Sequence, residues 1–529
     1  MKLSCVLLSC CFLVVFITAV VTHAGEETIL PLRKDQETLS LPLPIPPKTA
    51  VTGSVPNAST NDRDSLFLNN DRSHSVNDIA KTVKGTRLLF KNKGITCLEH
   101  LREHEATTHL DLSENHITSL NGIGTMKKLE FLDVGGNPLT DLGDLAELHR
   151  LQILVLSIKN AVLQPLESLD ALSLLIFVDS TITELSALSG MPNLSTLGLI
   201  DCRLENSDCF KELTTLRTLK IINGYYDGCD RKEDVFTEPF AHAAVFPSLS
   251  GMRELGVLVI NYNQLTSLNF VSGLKNLRYA EFANNALTDT RDLTSLPALY
   301  TLILNNNHIS DLSSLGDLNA LTQIELRNNR VVSVEGLTEL KNLQELRIDH
   351  NQLDSIAPVA NLPALKVLTL DGNRLPLSQL QCIMEVENLL LGTQKEVSLP
   401  SLRSPLRMGT EYDIRQECEF NGTKTEFSVF DRNGVALREE IDYRIRNGHI
   451  SFLRPGECHI EMRNAAIHSR GQIQSGERTT TQSDLRSVYS RGCHALPIDF
   501  EGKLLYHGKP ITALHPPAIV KTHLLTILD

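Results

Sequence analysis

Three residues in one short stretch carry the side chains of a hydrolytic metal site: His100, Glu103 and His104, in the segment HLREH. Two histidines one helical turn apart, with a glutamate beside the second, match the inverted zinc-protease pattern, in which the imidazoles hold the metal and the carboxylate acts as base. That chemistry needs a helix of several turns and a further ligand. The stretch lies instead between Ile95 and Leu110, inside a segment of ordinary repeat length, and no third ligand is evident. Cys493, His507, His515 and His523 are the other candidates, and their spacings fit no compact metal motif. A nucleophile elbow, a phosphate loop and a dinucleotide fingerprint are all absent. The expectation is a protein that is not an enzyme, with no catalytic residue, no metal and no cofactor.

The segment that holds those histidines belongs to a periodic array. Asn263, Asn285, Asn307, Asn329, Asn351 and Asn373 follow one another at intervals of 22 residues. Around each runs one frame, as in Leu299, Leu302, Leu304, Asn307, Ile309 and Leu312: L-x-x-L-x-L-x-x-N-x-I-x-x-L, the leucine-rich repeat pattern. Upstream the asparagine position is held by Lys93, Asn115, Asn137, Lys159, Ser180, Cys202 and Gly224. Thirteen turns result, with ten intervals of 22 residues, one of 21 and one of 39.

In L-x-L the two leucines point to the same face of a short strand and stack on their counterparts in neighbouring turns. The asparagine bends the chain inward, and its amide, both donor and acceptor, satisfies buried backbone groups of adjacent turns. Cysteine substitutes there, whereas Lys159, Ser180 and Gly224 do not, so turns four to seven should be less regular. Strands stacked ~4.8 Å apart give a parallel sheet of about 60 Å on the concave side. A turn this short leaves room for a 3₁₀ or extended segment on the convex side, not a long helix. The fold class expected is a repeat solenoid, a leucine-rich repeat horseshoe over residues 86–395.

Composition agrees. The chain of 529 residues is 42% hydrophobic but only 5% aromatic and lacks Trp, so its core must be aliphatic. Its net charge of −13 disfavours phosphate backbones and anionic lipid, leaving protein or carbohydrate partners. Residues 1–24 carry Lys2, an apolar run from Leu3 to Val21 and small residues before Gly25, the layout of a secretory signal peptide. No later run reaches the ~20 apolar residues of a membrane span, and no L-P-x-T-G wall-sorting pentapeptide occurs. A secreted or extracellular product, released or surface-associated, is expected.

Residues 25–61 are rich in Pro, Ser and Thr and read as a flexible linker. Residues 62–85 read as an N-terminal cap with a short helix in SHSVNDIAKTVKG. The 39-residue interval holds an insertion at 225–250, expected to emerge as a loop. Residues 396–465 show short alternating runs with hairpin signals at Asn433-Gly434 and Asn447-Gly448, the pattern of a small β-sandwich. Residues 466–529 read as a partly disordered extension. Beyond the leader eight cysteines remain. The repeat spacing sets Cys209 and Cys229 on neighbouring turns, within disulfide reach, and Cys418 is paired with Cys458 or Cys493. Asn57, Asn193 and Asn421 each open an N-x-S/T sequon, as in a glycoprotein.

A leader, 22-residue repeats such as LTQIELRNNRVVSVEGLTELKNLQEL, and a following β domain ending NGHISFLRPGECHIEMRNA together resemble the internalins and internalin-like secreted leucine-rich repeat proteins. The resemblance covers about 300 residues of repeats. It implies a curved solenoid fused to an immunoglobulin-like domain, with a concave face that binds a protein or glycan on another cell, as in adhesion.

The concave face is read from residues flanking the two leucines of each strand. In the middle turns these are Ile153, Val155, Leu174, Ile176, Val178, Ile200, Ile222, Val257, Val259, Tyr262 and Tyr279, with Tyr225 and Tyr226 at the root of the insertion. An apolar run there marks an interaction site; the plainer alternative is that irregular turns move these side chains into the core, or that the insertion covers them. Later turns present Glu281, Glu325, Arg327, Glu345, Arg347, Asp349 and His350, which cross-strand pairing on a solvated sheet accounts for. The functional expectation is a binding protein acting through this face. A structural extracellular or envelope component without a selective ligand is the alternative.

Overall fold

The computed structural model describes residues 65–67, 86–101, 103–204, 208–223, 248–383, 386–390, 394–420, 422–468, 505–506, 509–510 and 517–528. The expected leader, the linker, the capping helix, Tyr225, Tyr226, Cys229, Cys493, His507 and His515 lie outside the described residues, whereas His523 lies within them, its Nδ1 3.2 Å from Glu396 Oε2.

The 22-residue period becomes one parallel sheet of fifteen strands. Leu302 lies opposite Ala280 on one side and Ile324 on the other, each shifted by one repeat. Alternation along the strand sends Leu302 and Leu304 into the core, where both are fully buried. Each apolar side chain taken from water this way contributes about 1.5–3 kcal/mol, and the stacked rows form a single continuous core. The fold is a leucine-rich repeat solenoid.

The ladder asparagines do what their chemistry predicts. Asn307 Nδ2 donates to the carbonyls of Phe282 (2.9 Å), Leu304 (3.0 Å) and Asn305 (3.3 Å), and its Oδ1 accepts from Leu287 N (3.0 Å). Ten 3₁₀ segments, from Ile123–Thr125 to Ala357–Val359, return the chain on the far side of the core.

The middle turns depart as expected. Ser180 Oγ accepts from Ile158 N and donates to Val178 O, half of the asparagine's work, and Cys202 Sγ reaches the carbonyls of Phe177 and Ile200. Lys159 turns outward to Asp179 O. Strands here run longer, as in Ile153–Ile158 and Thr196–Ile200, against three residues in Tyr279–Glu281 and its successors. The 39-residue interval leaves the sheet intact, for Thr218 lies directly opposite Val257 and Ile222 opposite Asn261.

At its ends the array exceeds the thirteen turns of the frame. Ser65–Phe67 is a strand in register with Arg87–Leu89, one repeat earlier. At the other end Gln394 takes over the asparagine role, its Oε1 accepting from Leu375 N and its Nε2 donating to Leu370 O.

Two sheets follow. One orders Leu406–Arg407, Leu525–Leu528, Gly456–His468, Thr423–Asp431 and Glu419–Phe420, with Pro517–Lys521 also on Gly456–His468; the other joins Glu411–Asp413, His449–Phe452 and Tyr443–Arg446. The extension beyond 465 therefore supplies two strands to the first sheet. Asn447 and Gly448 both take positive φ between Tyr443–Arg446 and His449–Phe452, the expected hairpin turn. Glu417 is buried and accepts from Ser378 N (3.1 Å), tying these sheets to the short helix Leu377–Leu380 that closes the solenoid. Burial raises its carboxyl pKa, and the bond to Ser378 opposes that.

The pairing of Cys418 with Cys458 is corrected: both are free thiols. Cys418 O accepts from Thr425 N, whereas Cys458 lies opposite Asp431 on the same strand. Six residues along a strand span about 20 Å, far beyond the ~7 Å limit between bridged Cα atoms. The Cys209–Cys229 pairing falls outside the described side chains.

Candidate functional site

The open face of the sheet divides into three zones along the solenoid. The first is acidic and partly aromatic. His109 stacks on Phe131, one strand on, with ring centroids 5.9 Å apart. Burial lowers the imidazole pKa, Arg87 adds to this and Glu130 opposes it. Beside them Asp111 lies opposite Asp133. Asp133 is buried, and its Oδ1 accepts from Gly135 N at 2.8 Å. Its pKa is pushed up to about 7, first by burial and then by the charge of Asp111, with the Gly135 bond opposing. Next in that row stands Val155, where the second zone begins.

The second zone is apolar. Val155, Leu174 and Ile176 form a hydrophobic cluster of their own, separate from the solenoid core, with the half-buried Ile153, Val178 and Ile200 packed against it. Alternation explains the separation: on the same strands Leu154, Leu156, Leu175 and Phe177 point the other way, into the core. Gly198, opposite Ile176, has no side chain, and the isoleucine leans across it; a Cβ there would sit 3.3 Å from Ile176 Cγ1. Lys220, opposite Gly198, closes the zone. Burial lowers its ammonium pKa, and Glu281 opposes that.

Of the other sequence-predicted residues, Ile222 and Val257 are half-buried, Val259 is buried and Tyr262 is 37% exposed; none belongs to the apolar cluster. Tyr279 is half-buried and donates to Glu281 Oε2 at 2.7 Å. Burial and then the Glu281 charge raise its phenol pKa.

The third zone is ionic. Arg327 Nε lies 3.1 Å from Asp349 Oδ2, and its Nη1 lies 3.4 Å from Glu325 Oε2. Arg347 pairs with Glu345 and reaches Glu325 at 3.7 Å. These charges pair with one another both within a turn, as in Arg327–Glu325 and Arg347–Glu345, and between neighbouring turns, as in Arg327–Asp349 and Arg347–Glu325, the second kind being the cross-strand pairing expected from the sequence. A second amide ladder supports them. Asn261 bridges Glu281 and Ala283 N, and Asn305 bridges Glu325 and Arg327 N. Asp349 takes the next place and accepts from Asp371 N. Sequence reasoning missed this ladder, although its signal is present as a spacing of two repeats. It also missed Asp133, Gly198 and Lys220.

The histidine pair lacks the geometry its motif requires. Glu99–Leu101 is a single 3₁₀ turn, and Glu103 and His104 follow it in a turn rather than on an α-helix. Among the described residues no group of three or more His, Cys, Asp or Glu side chains could hold a metal ion, and no helix is long and apolar enough to cross a membrane.

Residues 108–147 match the family model for leucine-rich repeats (two copies). No curated protein matches the chain. Among solved structures, the chain is similar to an internalin (inlF) of Listeria monocytogenes at 20% identity and a TM-score of 0.41, over 61% of this chain and 93% of that one. A leucine-rich repeat protein of Leptospira interrogans matches at 21% identity and a TM-score of 0.47, over 63% and 91%. The plant peptide hormone receptor RGFR1, in complex with RGF2, matches at 18% identity and a TM-score of 0.39, over 58% and 55%.

Proposed function

We propose that this chain is a secreted or surface-associated binding protein, of adhesion or host-interaction type, that takes up a protein or glycan partner on the concave face of its middle turns. The observation that carries the reading is the second apolar cluster. Aliphatic side chains facing away from a solenoid's core add nothing to that core, yet here Val155, Leu174 and Ile176 gather on adjacent strands with a half-buried margin of Ile153, Val178 and Ile200. Val155 and Ile176 are fully buried and Leu174 is 2% exposed, so the part a partner can reach is the half-buried margin, and an apolar surface bordered by polar groups is the usual form of a protein interaction site. Asp111 and Asp133 border it on one side, and Lys220 on the other. The stacked sheet is preorganised, so little conformational entropy is lost on association. The leader in residues 1–24 supports secretion, and the net charge of −13 directs the reading away from nucleic acid and anionic lipid.

Val178→Asp with Ile200→Asp tests this. Both side chains lie outside the main core and are half-buried, so the double variant should melt like the parent. Immobilised parent protein is expected to capture a cell-surface species that the variant does not. Equal capture by both refutes the assignment of the site.

A further inference from the structure

Five residues one repeat apart occupy the position before the ladder residue: Tyr262, Asn284, Asn306, Asn328 and His350. All five are left-handed, with φ of 60°, 58°, 58°, 55° and 58°. They follow the ends of strands stacked ~4.8 Å apart, so with matching φ they recur at one strand spacing along the rim of the sheet. The three asparagines are linked: Asn328 Nδ2 donates to Asn306 Oδ1 at 2.7 Å, and Asn306 Nδ2 donates to Asn284 Oδ1 at 2.9 Å. A carboxamide has two N–H donors and two oxygen lone pairs. These bonds use one of each on Asn306, whose side chain is exposed, as is that of Asn328. The row ends on a partly exposed tyrosine at one side and on a half-buried histidine at the other.

We infer that this rim is a second binding site, beyond the apolar cluster, for a neutral β-linked polysaccharide laid along the row. Adjacent hydroxyls on a sugar ring both donate and accept, which is what a carboxamide with one free donor and one free lone pair complements. An equatorially β-1,4-linked hexopyranose chain advances by close to one strand spacing per ring. Successive rings are turned by about half a turn, yet each presents a hydroxyl-bearing edge, alternately that of O2 and O3 and that of O6, to successive amides. An extended peptide does not keep this step, since its side chains on one face recur every ~6.7 Å. Tyr262, 37% exposed at the end of the row, is of the residue type that packs on the apolar side of a sugar ring. Charge selects further: Asn305, next to Asn306, holds Glu325, and the −13 of the chain disfavours sulfated or uronic polymers.

Affinity electrophoresis of the full chain through gels containing hydroxyethylcellulose, a neutral soluble β-1,4-linked glucan, and through gels containing dextran sulfate, tests the proposal. The parent should be retarded by the neutral glucan alone. Asn306→Gly with Asn328→Gly removes both amides while keeping a residue suited to positive φ, so its melting temperature should match the parent. Its retardation should weaken by about tenfold, the loss of two or so net hydrogen bonds. Val178→Asp with Ile200→Asp should leave retardation unchanged, which separates this site from the concave one. Absence of retardation by the glucan, equal retardation of the glycine variant, or equal retention by dextran sulfate would each overturn the proposal.

Discussion

Replacing Asp133 with asparagine should make the protein less sensitive to alkaline conditions. The carboxyl group is buried on the open face, with Asp111 opposite it on one strand and Val155 on the other. Its neighbours include Lys91, which favours the charged form, and Glu114, which disfavours it. Burial and Asp111 dominate and raise the pKa from 3.8 to about 7. Between those values the folded protein holds a proton that the unfolded chain releases. Stability from this group is therefore fully present below about pH 4 and declines as pH rises toward 7, above which it is flat. About three pH units at ~1.4 kcal/mol each correspond to a total on the order of 4 kcal/mol. Asparagine keeps the oxygen that accepts from Gly135 N and cannot ionise. Urea unfolding of parent and variant at intervals from pH 5 to pH 8.5 measures the difference, and other titrating groups cancel between the two. The variant should gain on the parent as pH rises, reaching a few kcal/mol above pH 7. A difference that stays constant across that range would refute the assigned proton.

Two further outcomes follow from backbone packing. Asn307→Ala removes four hydrogen bonds to buried backbone groups and should cost about 3 kcal/mol or more in urea unfolding, against under about 1 kcal/mol for the exposed Asn342→Ala. Gly336→Ala would place a Cβ 2.3 Å from Leu312 O and 2.5 Å from its carbonyl carbon, so it should lower the melting temperature clearly. Gly190→Ala meets nothing within 4 Å and should leave that temperature unchanged.

What could be read from the sequence is what depends on period. The places of Leu302, Leu304 and Asn307 recur at a 22-residue interval, held by apolar residues at the first two and by asparagine in the regular turns at the third, and burial of an apolar row and bonding of an amide row follow from that recurrence. Gln394 escaped because it stands 21 residues after Asn373 and reaches its partners with one more methylene. The strand Ser65–Phe67 escaped because no ladder asparagine follows it at the expected interval. On the open face the sequence identifies which way Ile176 points but not how it packs, which depends on the missing side chain of Gly198. The Cys418–Cys458 pairing failed for a related reason: cysteine parity says nothing of strand register, and register sets the two thiols six residues apart.

The direct pairing of Thr218–Ile222 with Val257–Asn261 has a practical side. Asn223 N bonds to Asn261 O, and Gly256 N to Arg217 O, so the hydrogen-bond ladder runs directly from one strand to the other across the 39-residue interval. The position between 223 and 248 thus lies between two strands that pair directly with each other. A foreign recognition loop, an epitope or a fluorescent reporter can be spliced there, and the solenoid on both sides would serve as its rigid mount.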